Sequence, residues 1–179
     1  FVHAPKPLTK EKIGDMLWPG YDPEFMKARF KNELYRLRRA LGQEVILFED
    51  DAYQFNRNLD IEYDVDIFES CLARGRSAKS PEEKLHHYQE AVAVVRGPYL
   101  EDIDSTWAII DRERYQQQYL TTLLSISELL LERGEIDAPL KTCQYVLAAD
   151  KYNEAAYCLI MRIHAARGDR LAVIRQYQT

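Results

Sequence analysis

"RFKNELYRLRRALG" (Arg29–Gly42) is the stretch on which the reading of this chain turns. Phe30, Leu34, Leu37 and Leu41 stand at i, i+4, i+7 and i+11, one narrow apolar stripe at the period of an α-helix. Turned away from it lie Asn32, Tyr35, Arg36 and Arg39, while Lys27, Lys31 and Arg38 flank one side. From Lys27 to Arg39 there are six basic residues and one acidic residue, Glu33. Arg29, beside the stripe, is spaced to pair with Glu33 at i+4. Such a face is either simply solvated or built to lie against phosphates, and its surroundings have to decide between the two.

Before this helix, Thr9 is placed to N-cap "KEKIGDMLW" (Lys10–Trp18), whose Ile13, Met16 and Leu17 are expected to face inward. Pro19 and Gly20 break the chain, Asp22 caps the next helix, and Pro23 takes its first position. That helix runs to Leu41, with Gly42 as its stop. In "VILFEDDAYQFN" (Val45–Asn56), two β-rich runs, Val45–Phe48 and Tyr53–Phe55, flank an acidic turn at Glu49, Asp50 and Asp51, which reads as a hairpin.

From Tyr63 onward the pattern is helical. "DVDIFESCLARGR" is one helix, Ser80-Pro81 opens the next, "VRGPYLED" is a break, and a long amphipathic stretch runs from Trp107 to Arg133. Further helices are expected to start near Ile136, Tyr152 and Asp169. Gly134 and Gly168 stand 34 residues apart, the period of tetratricopeptide helix pairs. Aligning on them superposes Ala138 on Ala172, Leu140 on Ile174 and Ile126 on Ile160. Stacked helix pairs bury a stripe that neither buries alone. Tyr115, Tyr119, Tyr145, Tyr157 and Tyr177 are expected to supply bulk at those contacts.

The net charge is −5, unevenly spread: residues 1–58 carry ten basic and nine acidic side chains, residues 59–179 fourteen and twenty. A near-neutral first third holding one basic helix, joined to an acidic remainder, suggests two parts with different jobs. No run approaches a membrane span and no signal-peptide pattern opens the chain. Cys71, Cys143 and Cys158 form no metal or redox motif and read as buried, reduced thiols of a cytoplasmic protein. His86 and His87 are adjacent, so they are not expected to share a helix face, and no metal site is expected. Glu101, Asp102 and Asp104 are expected to cap the long helix. No phosphate loop, nucleophile elbow or zinc-protease pattern occurs, so neither catalytic residues nor a cofactor are expected.

The order of these elements resembles the Streptomyces antibiotic regulatory protein family, in which an OmpR-type winged-helix DNA-binding domain precedes a bacterial transcriptional activator domain. The resemblance rests on "LTKEKIGDMLWPG" (Leu8–Gly20), "RFKNELYRLRRALG", "VILFEDDAYQFN", "YDVDIFESCLARGR" (Tyr63–Arg76), "YLEDIDSTWAIIDRER" (Tyr99–Arg114) and "LLLERGEIDAPL" (Leu129–Leu140), which follow the family's order through most of the chain. It implies a mainly α fold: a partial winged helix-turn-helix with a β-hairpin wing over 1–58, then an all-α tetratricopeptide-like array over 59–179. Family members carry a small sheet and a first helix ahead of "LTKEKIGDMLW". Here Phe1–Ala4 could be the tail of that helix, and the sequence reads as part of a larger regulator with further domains. Ile13 and Leu17 are then expected to be under-covered.

The resemblance also implies that residues 23–41 form the recognition helix and 45–56 the wing. A helix fits the major groove, where Asn pairs with adenine and Arg with guanine, while flanking cations meet phosphates. On that logic Asn32, Tyr35, Arg36 and Arg39 are candidates for reading bases, and Lys27, Lys31 and Arg38 for phosphates. Tyr53 and Arg57 are the wing residues able to help, against an acidic wing turn. The expected function is a DNA-binding transcriptional regulator of the activator kind. Its partners would be double-stranded DNA, and transcription machinery or another protein through the helical part. The rival reading is a tetratricopeptide-like interaction scaffold without direct DNA contact.

Overall fold

The structure, a computed structural model, describes residues 6–60 and 62–178. Phe1–Ala4, read as the tail of a helix, lie outside the described residues. Internal contacts divide the chain into two units, 1–62 and 63–179.

In the first unit, strand β1 (Leu8–Thr9) leads directly into α1 (Lys10–Leu17). The Thr9 hydroxyl accepts the Lys12 N–H at 3.4 Å, so the expected cap is in place. Helix α2 spans Pro23–Leu41; the Asp22 carboxylate accepts the N–H groups of Glu24 and Phe25, and Pro23 supplies a first residue without an N–H. At its other end Gly42, with φ of 103°, donates to the Arg38 carbonyl at 2.9 Å and turns the chain into β2 (Ile46–Glu49) and β3 (Ala52–Phe55). The sheet order is β1-β3-β2, antiparallel throughout, with Phe48 opposite Tyr53 and Leu8 on its other side. Strand β1 was not foreseen, because two residues carry no periodicity.

α1 and α2 meet at Gly14, where a Cβ would lie 1.9 Å from Met26 Sδ. That contact sets the inward face of α1 at Ile13 and Gly14, both buried, and leaves Met16 and Leu17 exposed, contrary to expectation. Ile13 is 5% exposed, so the expected under-covering applies to Leu17 and not to Ile13. An open apolar groove of about 460 Å³ runs alongside, lined by Leu17, Trp18, Phe30, Leu34 and Leu37 among others.

The second unit is built from α3 (Asp64–Ser77), α4 (Pro81–Val94), α5 (Thr106–Glu132), α6 (Asp137–Ala149), α7 (Glu154–Ala166) and α8 (Arg170–Tyr177), each packed on the next. Phe68, Cys71, Leu72, Leu85, Tyr88 and Ala91 form one core with Tyr115 and Ile126 of α5. Leu120 and Leu124 of the same helix join Cys143, Val146, Leu159, Ile160 and Ile163 in a second. The Tyr115 hydroxyl donates to Glu69 at 3.0 Å, and burial, aided by that carboxylate, pushes its pKa up to about 12.

The 34-residue offset has a backbone counterpart. Gly134 and Gly168 have φ of 83° and 75° and donate to Leu131 and Ala165, both at 2.9 Å. The next N–H groups, of Glu135 and Asp169, reach Leu130 and His164, both at 3.0 Å. These are the same helix terminus twice over. Of the tyrosines expected at the contacts, Tyr115 is buried, Tyr119 and Tyr157 are half-buried, and Tyr145 and Tyr177 are exposed. Cys71 and Cys143 are buried as expected, whereas Cys158 is exposed because its neighbours Leu159 and Ile160 take the inward face. The carboxylates at 101, 102 and 104 do not cap α5, whose N-cap is Ser105. The loop before it is fastened instead by Arg112, which donates to the carbonyls of Tyr99, Leu100 and Ile103.

Two substitutions test this packing. In a helix, Gly→Ala ordinarily stabilises by about 1 kcal/mol, but a Cβ at Gly75 would lie 2.3 Å from Tyr88 Cε1. Gly75→Ala is therefore expected to destabilise by about 1–3 kcal/mol, read from the urea midpoint of the helical circular dichroism. A higher midpoint would show that Tyr88 yields freely. Nothing crowds Gly134, so Gly134→Val acts through the backbone alone, at about 1–2 kcal/mol. Faster amide exchange in α6–α8, with residues 10–56 unchanged, is the expected signature.

Candidate nucleic-acid interface

Helix α2 presents its outer face because its inner face is held by Met26 on Gly14 of α1 and by two contacts with the sheet. Phe30, buried, packs edge-on against Tyr53 with ring centroids 4.9 Å apart, and Tyr53 in turn packs on Phe48 at 4.5 Å. Two turns further on, the Arg38 guanidinium donates to the Ile46 carbonyl at 2.8 Å, with its Nε buried. Two residues expected to contact DNA thus have partners within the unit. The Tyr53 ring belongs to the packing between sheet and helix, and Arg38 is the tie between α2 and β2. The sequence held a signal for the second: Arg38 lies four residues after Leu34, at the edge of the apolar stripe, where a long side chain reaches the neighbouring strand. Arg29 differs from expectation too. Its guanidinium lies over the Trp18 ring, 5.4 Å from the centroid, while Glu33 pairs with Arg36 at 3.4 Å.

What remains outward is a compact polar face. Asn32, Tyr35 and Arg39 share one side at i, i+3 and i+7, with Lys31 on one flank and Arg36 on the other. All five are exposed, Tyr35 at 63%. Among the described residues Lys31 and Arg39 make no ion pair. Lys27 pairs with Glu24 at 2.8 Å; that hydrogen bond and the charge behind it raise the Lys27 pKa and lower that of Glu24. Exposed pairs of this kind are weak because water screens them, so Lys27 and Arg36 can exchange a carboxylate for a phosphate at small cost. An amide, a phenol and cations on one rigid helix face can hydrogen-bond base edges and neutralise phosphates.

The wing is a different surface. Asp50 and Asp51 both adopt left-handed backbone, with φ of 49° and 56°, which suits the two-residue turn joining β2 to β3. Three consecutive carboxylates, Glu49 to Asp51, stand at its exposed tip, and Gln54 donates to Glu49 at 3.4 Å. Arg57, just beyond β3, is the exposed cation nearest the wing in sequence.

Residues 63–179 match the family model described as the bacterial transcriptional activator domain. Among solved structures, the chain is similar to Mycobacterium tuberculosis EmbR in complex with a low affinity phosphopeptide, with a TM-score of 0.84 and 17% sequence identity. The similarity covers 97% of this chain and 48% of that one, so the chain spans about half the length of the EmbR chain. At that identity the likeness is one of fold. No curated protein matches the chain.

The hydrogen bond to Ile46 separates Arg38 from its neighbour Arg39 experimentally. Losing a hydrogen bond from a charged donor costs about 1.5–3 kcal/mol, so Arg38→Ala should speed amide exchange along α2 and β2. Arg39→Ala should leave stability within about 0.5 kcal/mol of the parent. Equal exchange rates in the two variants would return Arg38 to the solvent-facing set.

Proposed function

The chain belongs to the bacterial transcriptional activator domain family, a transcriptional regulator of the Streptomyces antibiotic regulatory protein kind, and we propose that it contacts double-stranded DNA through α2 and acts as an activator. The observation that carries this reading is the outer face of α2. Five exposed side chains able to meet base edges or phosphates are gathered there on a helix whose other side is fastened by Phe30 and Arg38. In this reading Asn32, Tyr35, Arg36 and Arg39 face bases, Lys27 and Lys31 face phosphates, and residues 1–62 are the DNA-binding part. Arg57 is the wing's cation. The acidic turn keeps the wing tip itself off the backbone, since three carboxylates repel phosphate. The helical unit supplies the protein contact, with transcription machinery as its partner and exposed Ile110, Leu171 and Ile174 as apolar points of attachment. No helix among the described residues is long and apolar enough to cross a membrane, and the proposed site of action is the cytoplasm.

The acidic wing also favours a second reading, in which the helical unit is a protein-binding scaffold and α2 never meets DNA. Selection from random duplexes followed by salt-dependent binding distinguishes the two. Lys31→Ala is expected to weaken all duplexes alike and to lower the salt slope by about one unit. Asn32→Ala or Arg39→Ala should relax preference at one or two base positions, at about 1–3 kcal/mol. Arg39→Glu is the severest variant, because it sets a negative charge against the groove. Unchanged affinity and salt dependence in that variant would establish α2 as ordinary surface and leave the scaffold reading standing.

A further inference from the structure

On α4, far in sequence from α2, three donor side chains converge. His86 and His87 are consecutive, so their Cβ atoms leave the helix about 100° apart. Glu90 stands at i+4 from the first and i+3 from the second, the two spacings at which helical side chains meet. Both rings therefore reach it: His86 Nε2 lies 3.5 Å from one carboxylate oxygen and His87 Nδ1 2.9 Å from the other. The two histidines do leave the helix on different faces, as expected, but the carboxylate sits between their two directions and meets both rings. Among the described residues this is the one group of three such side chains with all its donor atoms within 4.8 Å of one another.

We propose that His86, His87 and Glu90 form a binding site for a divalent transition-metal ion, zinc foremost, with water completing its shell. Two imidazoles and a carboxylate are a zinc donor set, and imidazole selects zinc, copper and nickel over magnesium and calcium. With metal–ligand bonds of about 2.0–2.1 Å, neighbouring donors in a tetrahedral site stand about 3.4 Å apart. The two separations from Glu90 lie on either side of that value, so modest side-chain rotation, with the His87–Glu90 hydrogen bond replaced by the ion, completes the geometry. The site is open: the His86 side chain is 68% exposed and an ion enters directly from solvent. One neighbour opposes it. Arg74 of α3 places its guanidinium 4.0 Å from the Glu90 carboxylate and 3.0 Å from Cys71 Sγ. A bound ion competes with Arg74 for that carboxylate and so weakens one polar link between α3 and α4.

Isothermal titration of zinc chloride into the chain at neutral pH tests this directly. One zinc per chain is expected, with H86A and H87A each weakening binding about tenfold or more. C158S should bind as the parent does, since the exposed thiol is not a ligand. R74A should bind about fivefold more tightly, the effect of removing a unit charge some 4 Å from the carboxylate in water. That gain is specific to a site at Glu90 and would not accompany uptake at other histidines or cysteines. No saturable zinc uptake by the parent, or parent affinity retained in the H86A/H87A double variant, would overturn the assignment.

Discussion

A helix can offer only the face that its packing leaves over. In α2 that packing is Met26 on Gly14, Phe30 against Tyr53 and, two turns beyond Phe30, the Arg38 guanidinium on the Ile46 carbonyl. Successive residues lie about 100° apart around a helix. A register shift of one position would therefore carry Asn32, Tyr35 and Arg39 to the flank and bring either Lys31, Leu34 and Arg38 or Glu33, Arg36 and Ala40 into their place. A ring contact at one point resists translation but tolerates rotation. A directional hydrogen bond at a second point removes that freedom, because donor geometry weakens steeply off axis. The cation nearest the candidate interface in sequence thus serves it indirectly, by fixing the angle at which its neighbours project.

The helical unit depends on a comparable economy in α5. This one helix places Tyr115 and Ile126 in the first core and Leu120 and Leu124 in the second, with half-buried Tyr119 touching both. Its apolar surface is consequently wider than a surface helix requires, and the two cores cannot loosen independently of it. Elsewhere, close approach replaces bulk: Gly75 lets α3 settle on the Tyr88 ring, and Gly14 does the same for α1 on Met26. Both glycines occupy helix interiors, where their propensity is unfavourable, and only the packing explains their presence.

An acidic chain with a basic helix face poses an electrostatic question. At physiological ionic strength, exposed charges more than about 8 Å apart are largely screened, so the net charge of −5 does not decide what Lys31 or Arg39 experiences. What decides it is the local arrangement along α2. There Glu24 and Glu33 are each occupied by a partner cation, Lys27 and Arg36, leaving Lys31 and Arg39 to set the sign of the face. The acidic wing tip is where repulsion acts at short range, and it confines any favourable approach to the helix.

Local signals were legible in the sequence and tertiary ones were not. Thr9, Asp22, Ser80 and Gly42 act on backbone within a few residues of themselves, and each caps or stops its helix where the pattern placed it. The repeat glycines were legible for the same reason, since a left-handed terminus needs only its own turn. The packing partners of Tyr53 and Arg38 were not legible because each is amphipathic: the same side chain serves a phosphate or a core edge, and the partner strand is distant in sequence. Strand β1 was invisible because its pairing with β3 spans more than forty residues and its two residues carry no pattern. His86 and His87 show the limit from the other side. Their spacing argued against a shared face, yet a third residue one turn away supplied the meeting point. A periodic pattern reports where Cβ atoms leave a helix; where long side chains end is settled by what they meet.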